Sequence, residues 1–399
     1  MEIDNKVFCA LPFTYLYVDS INEYKVCSDA RLSSHISTNE MSILDYYNSD
    51  YLNEIRFDML RGELSDDIKG TCVRCIEREE LGSWSRRIKS IDPKIIKDFK
   101  KGIDLIPRSN VIKFKFGNLC NLKCLMCGPY SSSRWAKERD SLQEMEIHKE
   151  LLDQISAAEL SRYGDLYQKT FNHEFFYDME RLTYNFDEKF YKEFKIILKY
   201  VNTIVVSGGE PFLNDEVYEF IRWLIENKFS SKVHLIILSN MTKVPKNFKS
   251  YFNKFNKFSI HVSIDGVGKK DEYIRRGTIF EEKDKNIKQI IDYFNIDFFP
   301  TLSILNVGYQ DDLISYCKQF NKTPIFHNVL VEPFFFQITD LPNHIIDIYR
   351  KRGQEHKLFE SKLKNTYHFS LGIQWLKRYD NIHKTNLLDE YPEFEAYYK

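Results

Sequence analysis

GNLCNLKCLMCGP, residues 117–129, is the stretch whose reading decides the fold. It sets Cys120, Cys124 and Cys127 in a C-x3-C-x2-C spacing directly after the strand candidate VIKFKFG (111–117). A loop at the C-terminal end of a strand is where barrel enzymes carry their chemistry. Three thiolates match three irons of a 4Fe-4S cube and leave the fourth iron open to a chelating molecule. Taken alone, the spacing also fits a zinc knuckle.

Outward from this loop, strand candidates alternate with amphipathic helices. The strands are TIVVSG (203–208), VHLIILS (233–239), FSIHVSID (258–265), FFPTLSIL (298–305) and IFHNVLV (325–331). Helical patterns at 215–227, 283–294 and 309–320 separate several of them. Such alternation predicts a parallel sheet covered by helices. Six units are too few for a closed eight-stranded barrel, so the expected α/β fold is a partial (β/α)6 barrel over 108–332. A charged, helix-prone insertion at about 140–195 interrupts it, and Pro93, Gly102 and Pro107 mark a linker before it.

The ends of the later strands carry polar groups. SGGEP puts Gly208, Gly209, Glu210 and Pro211 at the end of the second barrel strand, and paired glycines let backbone approach a ligand closely. Ser239 and Asn240 end the third strand, and SIDG, with Ser263, Asp265 and Gly266, ends the fourth. DEYIRRG follows, with Arg275 and Arg276.

Together these features resemble the radical S-adenosylmethionine (SAM) superfamily over roughly residues 110–330. The resemblance implies a 4Fe-4S cluster on Cys120, Cys124 and Cys127 whose open iron binds the amino and carboxylate groups of SAM. One electron then splits SAM into methionine and a 5′-deoxyadenosyl radical, which abstracts hydrogen from substrate. It further implies that Gly208, Gly209, Glu210 and Pro211 receive the SAM amino group. The strand ends Ser239, Asn240, Ser263 and Asp265 border SAM, with a Ser-Ile-Asp-Gly end at the ribose. Arg275, with Arg276 as the second choice, pairs with the carboxylate, a task suited to a planar guanidinium. Where the family has an aromatic residue before the third cysteine, this chain has Met126, whose polarizable sulfur can pack on adenine.

Residues 1–92 hold a second set: Cys9, Cys27, Cys72 and Cys75, the last two in a C-x2-C pair. Four thiolates ligate one complete 4Fe-4S cluster or one tetrahedral zinc. A hairpin is expected from TYLYVDS (14–20) and NEYKVC (22–27), then one helix over 41–63 with Leu44, Tyr47, Leu52, Ile55, Phe57 and Leu60 on its apolar face. The pattern resembles the SPASM/twitch auxiliary-cluster module, placed here at the N-terminus. The tail TNLLDEYPEF (385–394) is also similar to radical SAM proteins arranged in this order. That likeness implies a second, auxiliary 4Fe-4S cluster and a peptide or protein substrate that is crosslinked, oxidised or epimerised. A small molecule such as a sugar or nucleoside is the alternative, and a non-catalytic Fe-S or zinc protein the third reading. An electron donor such as flavodoxin or ferredoxin is the implied partner.

The bulk numbers bound the rest. With 57 Lys and Arg against 58 Asp and Glu, the net charge of −1 supplies no global field toward nucleic acid or anionic membrane. No run of about 18 apolar residues occurs and no secretory leader opens the chain, so a cytoplasmic location is expected. The basic run SRRIK (85–89) reads as a solvated face, FFF (334–336) as core, and Cys317 as a buried free thiol. Residues 333–399 form a C-terminal extension.

Overall fold

The computed structural model describes residues 7–30, 34, 36–80, 85–91, 110–137, 186–244, 248–331, 333–360 and 366–399. The linker around Pro93, Gly102 and Pro107, and the expected insertion up to residue 185, lie outside the described residues. The strands are β1 (Tyr15–Val18), β2 (Tyr24–Lys25), β3 (Val111–Phe116), β4 (Lys123–Cys124), β5 (Thr203–Gly208), β6 (His234–Ser239), β7 (Lys257–Ser263), β8 (Arg275–Arg276), β9 (Asn295–Phe299), β10 (Thr301–Leu302) and β11 (Asn328–Val329). Two compact units divide the chain. One comprises Met1–Gly117, Thr183–Leu238 and Pro245–Ile260; the other comprises Asn118–Leu182, Ser239–Val244 and His261–Lys399.

In the first unit β3, β5 and β6 lie side by side and parallel, with Val111 opposite Thr203 and Thr203 opposite His234. The expected hairpin forms: β1 and β2 pair antiparallel, Tyr17 opposite Lys25. Its turn is tied by Asp19, whose Oδ1 accepts from the backbone N–H groups of Ile21 and Glu23. The hairpin also joins the main sheet, because β1 pairs parallel with β3 from Tyr15↔Val111 to Val18↔Phe114. The order is therefore β2-β1-β3-β5-β6-β7. β7 passes into the second unit, where β9 is its neighbour. The result is a mixed, mostly parallel sheet consistent with a partial barrel.

Burial alternates along β3, so Ile112, Phe114 and Phe116 face the core. Phe114 meets Phe190, Phe194 and Phe220 edge-on, with centroids 5.4–6.1 Å apart. Phe220 comes from the helix Asp215–Glu226, which buries Val217, Phe220, Ile221 and Leu224, the spacing of one helical face. Asn214 caps its start by accepting from Glu216 N.

The helix expected over 41–63 is two helices, Ile43–Tyr47 and Asp50–Arg61. Ser42 and Ser49 each cap one of them, and that break resets the phase of the apolar stripe. Leu52 and Ile55 are buried as expected, but Phe57 is 53% exposed, and Arg56 and Met59 take the inner face instead. There Arg56 Nε donates to Pro12 O at 2.9 Å and Nη1 to Tyr47 O at 2.6 Å, while Nη2 is buried with no hydrogen-bond partner among the described residues.

In the second unit the last two expected strands are shorter than their apolar runs. Pro300 has no N–H for a ladder, so FFPTLSIL breaks into β9 and the two-residue β10. Asn306 then fastens the turn, accepting from Ser303 N at 2.8 Å and donating to Thr301 O at 2.9 Å. β11 keeps only Asn328 and Val329, parallel to β10. Phe334–Phe336 are core, as expected, against Trp375 of the helix Thr366–His383. Cys317 is fully buried.

Candidate active site

Cys120, Cys124 and Cys127 all lie in the second unit, on a loop fixed at several points. β4 pairs antiparallel with β8, which sets Cys124 opposite Arg275, and Leu125 N donates to Ile274 O at 2.8 Å. Ser132 Oγ donates to Leu122 O, and the Trp135 indole N–H donates to Cys124 O at 3.1 Å. Behind Cys120 stands a polar knot that spacing alone does not reveal. Asn240 Nδ2 lies 3.8 Å from Cys120 Sγ and donates to Asn121 Oδ1, while Thr242 ties Asn121 to Asn240. Asn240 is one of the strand-end residues expected from the sequence; Asn121, next to Cys120, and Thr242, two residues past Asn240, are not.

The three thiols sense one another. Cys127 donates to Cys124, which holds Cys127 well above the usual thiol range, with burial adding to the shift. The same bond lowers Cys124, helped by the Arg275 charge. Cys127 is also opposed by charge on Cys124 and Cys120. Met126 packs against the buried cluster of Cys120, Leu122 and Cys124.

Arg275 and Asp265 form a buried ion pair at 2.5 Å. Both Asp265 oxygens are taken, Oδ2 by Arg275 and Oδ1 by Thr301 N at 2.7 Å. Asp265 N donates to Asp271, whose other oxygen accepts from Lys283 at 2.7 Å; neither the Asp271 nor the Lys283 side chain is exposed. Gly266 makes this packing possible, because a Cβ there would stand 2.8 Å from Asp271 N. The Arg275 Nε is buried without a hydrogen-bond partner among the described residues. A buried guanidinium N–H left open suits an anionic ligand group. Asp271 and Lys283 escaped the sequence reading, because a buried ion pair has no local signature.

In the first unit, Gly208 lies at the end of β5 against β3, and a Cβ on it would stand 2.4 Å from Phe116 O. Glu210 is buried and its carboxylate accepts from Phe212 N at 3.1 Å, with Pro211 opening a short 3-10 turn. Of the other strand ends, all in the second unit, Ser239 Oγ accepts from Met241 N, a residue held at φ 57°, and Ser263 is partly exposed.

The N-terminal cysteines are also brought together, within the first unit. Cys9 precedes the first helix, Cys27 follows β2, and Cys72 and Cys75 lie one turn apart on the helix Asp66–Glu80. Burial pushes Cys9 up to about 11 and Cys72 up to about 12. Burial first, then the charges of Asp29, Cys9 and Cys72, hold Cys27 well above the usual thiol range, and charge on Cys75 opposes ionisation of Cys9 and Cys72. Ionising several of these thiols together would need a nearby cation. SRRIK is not a solvated face: Arg87 pairs with Glu79 and Arg86 with Asp29, which also pairs with Arg78.

Among the described residues, no three His, Cys, Asp or Glu side chains already stand at the spacing of a single bound ion. A cube asks less, because each thiolate takes its own iron. The donor chemistry fits such a group at both sites.

Comparison with protein families matches residues 114–312 to the Radical SAM superfamily. Comparison with curated proteins gives no match. Among solved structures, anSMEcpe with bound AdoMet and a Kp18Cys peptide is 14% identical, over 69% of this chain and 62% of that one, with a TM-score of 0.39. Streptococcus suis SuiB bound to S-adenosylmethionine is 12% identical, over 76% and 62%, with a TM-score of 0.33. TYW1 with a lysine-pyruvate adduct is 13% identical, over 66% and 89%, with a TM-score of 0.31. The chain thus spans 62% of the length of the first two. No described helix is long and apolar enough to cross a membrane.

Proposed function

We propose that this chain, matched to the Radical SAM superfamily over residues 114–312, is a radical SAM enzyme, that Cys120, Cys124 and Cys127 hold its SAM-cleaving 4Fe-4S cluster and that its substrate is a peptide or protein. When bound, such a cluster supplies the electron that splits SAM and so yields the radical that takes hydrogen from substrate. The observation that carries the assignment is the pairing of β4 with β8, which sets the cysteine loop beside a buried arginine with an open N–H.

The protein's own residues then divide the work. Asn240, braced by Asn121 and Thr242, orients Cys120, and Trp135 fixes the backbone at Cys124. Arg275 offers its Nε to the SAM carboxylate, and Asp265 holds the guanidinium in place rather than touching the ligand itself. Ser263 and Ser239 border the nucleoside, and Met126 its adenine. Exclusion of water by the surrounding apolar side chains keeps the radical for the intended C–H bond.

Cys9, Cys27, Cys72 and Cys75 hold the second, auxiliary 4Fe-4S cluster. Their convergence supports the site, and the likeness to SPASM/twitch modules supports both the cluster and the peptide class. The test is anaerobic incubation with SAM, reductant and a library of ribosomally made peptides, read by mass spectrometry. A peptide that loses two hydrogens or gains a crosslink in step with 5′-deoxyadenosine formation is expected. Turnover confined to sugars or nucleosides overturns the peptide class.

A further inference from the structure

The tail stretch TNLLDEYPEF (385–394) has no role in the chemistry described above. Within the second unit it converges on one carboxylate. Asp380, buried near the end of the helix Thr366–His383, accepts from four groups. Its Oδ1 takes Thr385 Oγ1 at 2.6 Å, and its Oδ2 takes Leu387 N and the Tyr398 hydroxyl, each at 2.7 Å. The fourth donor is the Tyr273 hydroxyl, 3.1 and 3.2 Å from the two oxygens. Tyr273 lies in the last turn of the helix Lys269–Ile274, two residues before Arg275. The tail grips this helix again through Lys270, which pairs with Glu390 at 3.9 Å and lies over the Tyr391 ring. Tyr391 in turn meets Tyr273 edge-on at 5.9 Å. Residues 273–276 are thus held from two sides. The outer two go to the C-terminal extension, Tyr273 to Asp380 and Arg276 to His383 O at 3.3 Å. The inner two go to the cysteine loop, Ile274 O accepting from Leu125 N at 2.8 Å and Arg275 standing opposite Cys124.

We propose that Asp380, acting through Tyr273, positions Arg275 for the carboxylate of SAM, so that the C-terminal extension sets cofactor affinity. The assignment rests on the radical SAM reading above. Asp380 touches no ligand and is a positioning residue. Asp265 holds the guanidinium by Nη1, but where the Arg275 side chain starts is decided by the backbone. That backbone leaves the helix at Arg275, with φ −106° and ψ 62°, so the last helical turn fixes its origin. A buried carboxylate that accepts from four donors is held in place by all of them, and the three tail bonds leave it little freedom to follow Tyr273. Any shift of Tyr273 then passes to a guanidinium whose contact with a carboxylate depends on angle as much as distance. The tail residues divide accordingly: Thr385 and Leu387 seat Asp380, while Glu390 and Tyr391 hold Lys270.

The test measures SAM binding to the unreduced holoenzyme by anaerobic equilibrium dialysis. Y273F deletes only the hydroxyl that links the helix to Asp380. Its Kd for SAM rises about fivefold. With dithionite as reductant, the loss falls on KM for SAM rather than on kcat. T385V, at an exposed tail position, removes one bond that seats Asp380 and gives a smaller rise in the same direction. Y24F deletes a buried hydroxyl of the first unit, which donates to Met41 O at 3.1 Å, and leaves the SAM Kd unchanged. An unchanged Kd in folded Y273F overturns the positioning role; if Y273F does not fold, an unchanged Kd in T385V does so. An equal rise in Y24F overturns it too, because the effect is then general loosening. An unsubstituted holoenzyme that binds no SAM overturns the radical SAM reading instead.

Discussion

The chain builds its two cysteine sites in opposite ways. Cys120, Cys124 and Cys127 come from one eight-residue stretch, and local turns with the β4–β8 pairing suffice to bring them together. Cys9, Cys27, Cys72 and Cys75 span 67 residues, across a hairpin and four helices. The loop offers three thiols and a buried arginine with an open N–H; the N-terminal site offers four thiols ringed by arginines already paired with Asp29 and Glu79. Three ligands leave a coordination vacancy for chemistry, and four close it. The difference predicts that one site reacts while the other accepts electrons or braces the fold.

The sharpest break between them comes from deleting ligands. C124A abolishes 5′-deoxyadenosine formation and removes about four of about eight irons per chain. C72A/C75A removes a similar share of iron but leaves SAM cleavage without substrate measurable. Iron analysis paired with 5′-deoxyadenosine assay checks both, and loss of SAM cleavage in both variants would erase the distinction. If the N-terminal site instead binds zinc, metal analysis finds about one zinc there.

A second contrast concerns the scaffolds. K283M leaves Asp271 charged and fully buried beneath the Arg275–Asp265 pair, at a cost of about 3–5 kcal/mol in denaturant unfolding. G208A, in the first unit, forces β5 away from Phe116 O, a cost of about 1–3 kcal/mol. K283M also weakens SAM affinity, by loosening the turn that holds Asp265, and SAM titration reads that separately from stability.

The smallest effect is a pH slope. Burial, with Arg276 and Lys123 nearby, pushes His383 from its ordinary 6.5 down to about 4. Between those values the unfolded chain binds a proton that the folded chain refuses, so stability falls as pH drops from about 6.5 to about 4. H383Q flattens that part of the acid limb, measured as the urea midpoint across the window. An unchanged slope would show that His383 does not feel the cations of the second unit.

Much of this was legible in the sequence because it is local. The C-x3-C-x2-C loop, the GGEP turn, the strand-helix alternation and the 215–226 helix are written in spacing and periodicity. The parallel pairing of β1 with β3 was not, since register between residues nearly 100 apart leaves no local trace. The break at Asn48–Ser49 was hidden because the apolar stripe continues through it in slipped phase, although Ser49 caps the second helix. The Asp265–Arg275–Asp271–Lys283 network was half visible. Its motif residues drew notice for ligand binding, while their partnership with each other depends on burial that only the folded chain creates.

The account turns on whether the loop holding Cys120, Cys124 and Cys127 delivers an electron to SAM. The direct measurement is anaerobic reconstitution with iron and sulfide, then dithionite and SAM, with 5′-deoxyadenosine and methionine quantified together. Equal amounts of the two products, absent in C120A, are predicted. Full iron loading with intact SAM would contradict the claim.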